Sequence, residues 1–369
     1  MPPSFMPGLS LCRLFYLEAV RPLLDRAYPG LSHAAARIGP GSEVLGFDSE
    51  RSVDHDWGPR LELFLSVEDV ISHGADISAL LAARLPKQIC GWPTNFEPPG
   101  ARVQVMAATT GPVAHRVHIT DVTNWSAGQF GFDVRRGMSA LDWLAIPAQR
   151  LAEATGGAVF HDDSGELTHL RSRLRWYPDE VWRYILAAQW TRIAQEEAFV
   201  GRSAEAGDDL GSRLVAARLA REVMRLCLLL ARQYPPYSKW LGTAFAALPD
   251  IEVIVAALRE AVGTGDAARR QAGLCTAYEV AGRWQNQLGL ANPVEPTRRP
   301  YFDRPYPVID AARFVTALLE RVSDATLAAL PPVGAVDQYV DSTDVLSQRD
   351  LPRYIMDAVS REPSDNDRF

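Results

Sequence analysis

The sequence predicts an α+β protein: a small mixed-sheet domain over residues 1–172, then an all-α helical bundle over 173–369. Three observations lead there. The first half carries short apolar runs with period-two alternation between Gly and Pro turns. Beyond about Leu174 the pattern changes to long helical stripes. A chain of 369 residues is also long enough for two domains, each with its own core.

Residues 9–27 put Leu11, Leu14, Phe15, Ala19, Leu23 and Leu24 on one helical stripe, with Pro22 as a kink or boundary. Residues 43–47 and 61–65 read as two strands joined by a charged loop. A helix is expected over 67–85. Residues 102–106 and 116–120 then alternate as half-buried strands about the turn Gly111-Pro112. In the second half helices are expected over 178–200, 210–233, 250–262, 267–288 and 308–322. Asp179 and Asp250 each follow a proline, at positions where a helix start favours a carboxylate. The polar end, 361–369, is expected to fray.

The chain is 47% hydrophobic and 22% charged, and 38 Lys+Arg against 45 Asp+Glu leave a formal charge of −7. That balance argues against a dedicated nucleic-acid binder, which needs a basic footprint. Cys12, Cys90, Cys227 and Cys275 are scattered without zinc-type spacing, so a reduced, cytoplasmic chain is expected. The first residues lack a basic n-region, and Arg13 and Glu18 interrupt the early apolar stretch, so neither a signal peptide nor a membrane span is expected.

The most informative segment is Gly46-Phe47-Asp48-Ser49-Glu50-Arg51-Ser52-Val53-Asp54-His55-Asp56-Trp57-Gly58-Pro59. On an extended segment, residues i and i+2 share a side, so Asp54 and Asp56 are expected to point together. Two adjacent carboxylates repel unless a cation lies between them. Mg²⁺ suits the place, since it takes one or two carboxylates and fills its shell with phosphate oxygens and water. Ser49, Ser52, Arg51 and backbone N–H groups would supply phosphate contacts beside it. The plainer alternative is that such a pair satisfies local backbone donors in a turn.

This loop resembles the signature of the DNA polymerase beta-like nucleotidyltransferase superfamily, whose small members include aminoglycoside adenylyltransferases and often add a C-terminal helical bundle. The strings Asp54-His55-Asp56-Trp57-Gly58-Pro59, Leu141-Asp142-Trp143-Leu144, Gly157-Ala158-Val159-Phe160-His161-Asp162 and Tyr237-Ser238-Lys239-Trp240-Leu241-Gly242 resemble one bacterial and fungal branch, domain of unknown function 4037. The resemblance implies two-metal transfer of a nucleotidyl group, with AMP from ATP as the expected case, onto a hydroxyl of a small-molecule acceptor. By position it makes Gly46, Ser49 and Ser52 the phosphate loop, and Asp54 and Asp56 the ligands of Mg²⁺. The family's Gly-Ser pair is replaced here by Gly46-Phe47-Asp48-Ser49, which leaves open which serine meets phosphate. A third carboxylate or general base is expected on a later strand. Asp121, Glu62 and His118 are the candidates, and a strand-end cap is the alternative role for Asp121.

Other residues have weaker claims. Lysine occurs only at positions 87 and 239, and Lys239 beside Tyr237 and Trp240 is read as a phosphate contact, or else as an exposed lysine. His161-Asp162-Asp163 reads as a turn cap before a metal or catalytic group. Glu196 and Glu197 could face an acceptor, but solvated helix carboxylates are the ordinary outcome. Two further functions stay open: a nucleotide-binding regulatory module with a degenerate catalytic site, and a transferase acting on protein or RNA, the latter resting on Arg171, Arg173 and Arg175.

Overall fold

A computed structural model of the chain describes residues 3–360. The polar stretch 361–369, expected to fray, lies outside the described residues. The architecture is α+β, and the chain divides into two compact units. One joins residues 1–137 with 150–175, and the other joins 138–149 with 176–369.

The first unit begins with helix α1 (Gly8–Leu14), a π-helical turn (Phe15–Val20) and helix α2 (Arg21–Ala27). Pro22 lies in the first turn of α2, where its missing N–H removes an i to i−4 bond. The wider turn takes up the break: Arg21 N–H donates to the Tyr16 carbonyl, five residues back.

The sheet of this unit has strands β1 (Ala34–Arg37), β2 (Arg60–Phe64), β3 (Arg116–Thr120) and β4 (Ala158–Asp162), in the order β3-β2-β1-β4. β1 is antiparallel to β2 and β4, whereas β2 and β3 are parallel, with Arg60 opposite Arg116 and Glu62 opposite His118. A parallel pair needs a long crossover, which runs through α3 (Val67–Arg84). Ser66 caps α3 by accepting the Asp69 N–H at 3.0 Å.

The strand expected at 43–47 is not there. Residues 42–46 form a turn, and the strand lies upstream at Ala34–Arg37. Alanine carries little strand preference, so local pattern misses β1. The strand is nonetheless buried along its whole length, between β2 and β4. The strand expected at 102–106 shrinks to Val105–Met106.

Leu61, Leu63, Val117 and Ala35 share one sheet face and pack into a core with Leu11, Phe15, Tyr16, Ile77 and Leu81. Leu63 is fully buried, and truncating it to Ala would cost about 2–5 kcal/mol. By alternation Arg60, Glu62, Arg116 and His118 lie on the opposite face. The sheet therefore has one apolar face and one face rich in charge.

The second unit is mainly helical. A helix α4 (Val122–Phe130) still belongs to the first unit, and the second contains α5 (Asp179–Glu196), α6 (Asp209–Leu230), α7 (Ser238–Ala246), α8 (Glu252–Gly263), α9 (Ala267–Gln287) and α10 (Ala312–Leu319). Trp182 and Trp190 help fill its core: Trp182 donates to the Leu229 carbonyl at 2.9 Å, and Trp190 stacks on Phe314 with centroids 4.4 Å apart. Two local features depart from expectation. Arg299–Tyr301 and Arg304–Val308 pair as an antiparallel hairpin within the helical half. Asp250 takes a left-handed conformation at φ 54°, ahead of α8, instead of capping it. Among the described residues no helix is long and apolar enough to cross a membrane.

Candidate functional site

Between β1 and β2 the chain makes a turn and then a 3₁₀ helix, Glu50–Asp54. Ser49 and Ser52 cap this helix: Ser49 N–H donates to the Ser52 hydroxyl at 3.0 Å, and Ser52 N–H donates to the Ser49 carbonyl at 2.8 Å. Gly46 lies in the preceding turn at φ 75°, with open space where a side chain would stand. Arg51 is exposed. Asp48 is structural, since its Oδ2 accepts from Gly8 N–H at 2.6 Å and from Trp57 Nε1 at 3.1 Å.

Asp54 and Asp56 do not lie on a strand, contrary to the alternation argument. Asp54 ends the 3₁₀ helix, Asp56 has φ 47°, and Gly58 at φ 129° with Pro59 delays β2 until Arg60. Asp54 is open to solvent, and its Oδ1 accepts from the His55 N–H at 2.9 Å. Asp56 donates its N–H to the Gln104 carbonyl at 2.8 Å, and its Oδ1 is held by the Arg116 guanidinium of β3.

The three candidates for a third group occupy different places. Asp121 is 2% exposed and caps α4; Oδ1 accepts the Asn124 N–H at 2.9 Å and Oδ2 accepts the Asn124 side-chain amide. Glu62 is paired with His118 across the parallel strands, Oε2 to Nδ1 at 2.6 Å. That hydrogen bond raises the His118 pKa above its ordinary 6.5. Among the described residues, the one group of three His, Cys, Asp or Glu ligand atoms within 4.8 Å of each other is His33, His161 and Asp163. Glu62, His118 and Asp121 therefore do not join Asp54 and Asp56 at that spacing.

A neighbouring feature escaped the sequence reading. Residues 39–42, Gly-Pro-Gly-Ser, follow β1 directly and wrap the Arg37 guanidinium, which donates to the Ile38 carbonyl at 2.6 Å, to the Pro40 carbonyl, and from Nε to Glu43 Oε1 at 2.7 Å. Arg60 shares the same Glu43 oxygen. A Cβ at Gly41 would stand 2.5 Å from Arg37 Nη2 and 2.6 Å from Glu43 Oε2, so only glycine fits. Burial works against the Glu43 carboxylate, but Arg37 and Arg60 outweigh it and lower its pKa. Burial and then Arg37 push Arg60 down to about 10. Two arginines to one glutamate leave a net positive cluster under the loop, with Glu43 Oε2 and Arg60 Nε buried and without a hydrogen bond. The available signal was two glycines flanking a proline ahead of a serine, a turn composition just after a short apolar run.

Lys239 is exposed near the start of α7 in the second unit, with its ammonium 4.8 Å from the Trp240 ring. Asp162 caps a turn by accepting the Thr168 N–H at 2.8 Å and hydroxyl at 2.7 Å. His161 and Asp163 meet each other at 2.9 Å and lie beside buried His33, whose pKa is lowered chiefly by burial. Glu197 is buried within the second unit and accepts the N–H groups of Ile309, Asp310 and Ala311, so it is no solvated carboxylate. Arg171 donates to the Ala154, Thr155 and Gly156 carbonyls, which takes it out of an open basic patch, whereas Arg173 is exposed and donates to the Arg135 carbonyl at 3.2 Å.

A domain of unknown function, DUF4037, matches this chain over residues 143–241. The chain is similar to that family over this stretch. It covers β4 and the first helices of the second unit, and stops short of the acidic loop before β2. A search of curated proteins finds no match.

Proposed function

We propose that the chain is a Mg²⁺-dependent nucleotidyltransferase that moves a nucleotidyl group, AMP from ATP as the expected case, onto a hydroxyl of a small-molecule acceptor. The observation that carries this reading is what converges at one end of the sheet. The glycine loop 39–42 leaves β1 there, the aspartates precede β2 there, and Arg116 opens β3 there while holding Asp56. The donor set suits the ion, because Asp54 and Asp56 each keep one carboxylate oxygen outside any protein hydrogen bond. A bound Mg²⁺ would neutralise polyphosphate charge at that point.

The protein's own groups have assignable work. Arg116 fixes the Asp56 side chain, and the positive cluster of Arg37, Glu43 and Arg60 favours phosphate oxygens at the loop above it. Glu62 orients His118, whose imidazole takes the proton of the acceptor hydroxyl as its oxygen attacks the α-phosphorus. The bond from that phosphorus to the bridging oxygen breaks, and pyrophosphate leaves.

The test is pyrophosphate release by purified protein with each triphosphate, with and without Mg²⁺, across a panel of hydroxylated acceptors. Silence under every condition, together with no triphosphate binding by calorimetry, would overturn the reading.

A second reading, nucleotide binding without turnover, is favoured by one observation: Asp121 spends both carboxylate oxygens as a helix cap. It predicts saturable triphosphate binding without pyrophosphate, unaffected by substitutions at Glu62 or His118.

A further inference from the structure

Strands β1 and β4 are antiparallel, and Ala34 lies opposite Asp162. The residue before β1 and the turn after β4 therefore meet, at the end of the sheet away from the glycine loop and the acidic loop. β1 is four residues long, roughly 10 Å of extended chain, which separates the two ends. His33, His161 and Asp163 gather at this far end. None of them has a part in the chemistry proposed above.

The cluster is held from several sides. His33 N–H donates to Asp163 Oδ2 at 3.0 Å, and Asp163 N–H returns a bond to the His33 carbonyl at 3.2 Å. The imidazoles of His33 and His161 lie side by side, with centroids 4.6 Å apart. His161 Nε2 is 2.9 Å from Asp163 Oδ1, and His33 Nδ1 is 3.8 Å from Asp163 Oδ2. One ligand atom from each of the three residues lies within 4.8 Å of the others. A tetrahedral ion with ligands at about 2.0–2.2 Å needs donor atoms spaced on this order.

We propose that His33, His161 and Asp163 form a binding site for a divalent transition-metal ion, of which zinc is the ordinary case, that clamps the start of β1 to the end of β4. Two imidazoles and one carboxylate prefer such an ion to Mg²⁺, which favours an all-oxygen shell. The surroundings supply an outer shell. His33 Nε2 is 2.9 Å from the Tyr16 hydroxyl, so with Nδ1 on the ion Nε2–H donates to that oxygen and fixes the ring. The Leu31 carbonyl oxygen, 3.0 Å from Nδ1, stands where it can complete the shell together with water. His33 is 7% exposed and His161 only partly so, which leaves one side for the ion to enter.

The site is independent of the transferase reading and is tested apart from it. Untagged full-length protein, stripped with chelator, is titrated with Zn²⁺ by calorimetry, and with Co²⁺ by visible absorption, in millimolar Mg²⁺. The expected result is one equivalent bound, Co²⁺ bands of a four- or five-coordinate site, and a rise in thermal midpoint on adding Zn²⁺. H161Q and D163N should each weaken Zn²⁺ binding by about tenfold or more, whereas D54A should leave it unchanged. Both variants keep near-native volume at positions at least partly open to solvent, at the end of β4 and just after it, and circular dichroism checks that they fold. Absence of stoichiometric binding in the wild type, or equal affinity in folded H161Q and D163N, would overturn the proposal. So would loss of binding in D54A, which would move the ion to the acidic loop.

Discussion

Glu62 and His118 face each other in the same register of two parallel strands, with Oε2 and Nδ1 2.6 Å apart. The carboxylate stabilises the protonated imidazole, so His118 titrates above 6.5. A raised folded-state pKa contributes stability that is present below the unfolded pKa and lost as pH rises through the folded value. His118 is more than half exposed, so solvent screens most of that contribution.

For activity the sign is opposite. Proton acceptance by His118 needs the neutral ring, so pyrophosphate release should rise as pH passes upward through its raised pKa. Glu62→Gln should move that rise toward lower pH and reduce the maximum. A pH–rate profile and an NMR titration of His118 read both effects; an unshifted profile in the variant would remove His118 from the mechanism.

Asp54→Ala and Asp56→Ala should each lower pyrophosphate release by about 100-fold or more, with thermal midpoints close to wild type, because neither carboxylate is buried. Asp56→Ala also frees Arg116. Combined with Arg116→Ala, it should show less than additive loss, since both changes break one contact.

Gly41→Ala should destabilise by about 1–3 kcal/mol, because its Cβ would meet Arg37 Nη2 at 2.5 Å, Glu43 Oε2 at 2.6 Å and Arg60 Nη2 at 2.8 Å. Gly46→Ala meets no neighbour and should cost only the backbone strain of φ 75°, about 1 kcal/mol. Denaturant titration of the two variants separates the steric cost from the conformational one.

Glu43→Leu should be the most damaging of these changes, by about 3–5 kcal/mol, because it strands Arg37 and Arg60 in the interior. If the unfolding free energy stays within about 0.5 kcal/mol of wild type, on the order of a surface substitution, the buried cluster does not hold the loop.

The sequence alone determined what depends on neighbours along the chain. The stripe of Leu11, Phe15 and Ala19, the long helices of the second half, and β2 and β3 all show a residue period that any local window detects. That Asp54 and Asp56 fall in one loop ahead of β2 was legible too, as a matter of residue type and spacing. Their backbone was not, because a left-handed turn at Asp56 and the delay at Gly58-Pro59 replace the extended segment that alternation assumed. β1 was hidden because Ala34–Arg37 is a strand by virtue of its position between β2 and β4, a property its alanines do not carry.

Tertiary structure alone decided which distant groups share a place. Arg116 reaches Asp56 across 60 positions because β2 and β3 are parallel neighbours, and Asp163 reaches His33 across 130 because β4 lies beside β1. A period of two or 3.6 residues states which face a side chain occupies. Which strand lies alongside is chosen by burial of the whole core, and that choice turns scattered carboxylates, arginines and histidines into sites.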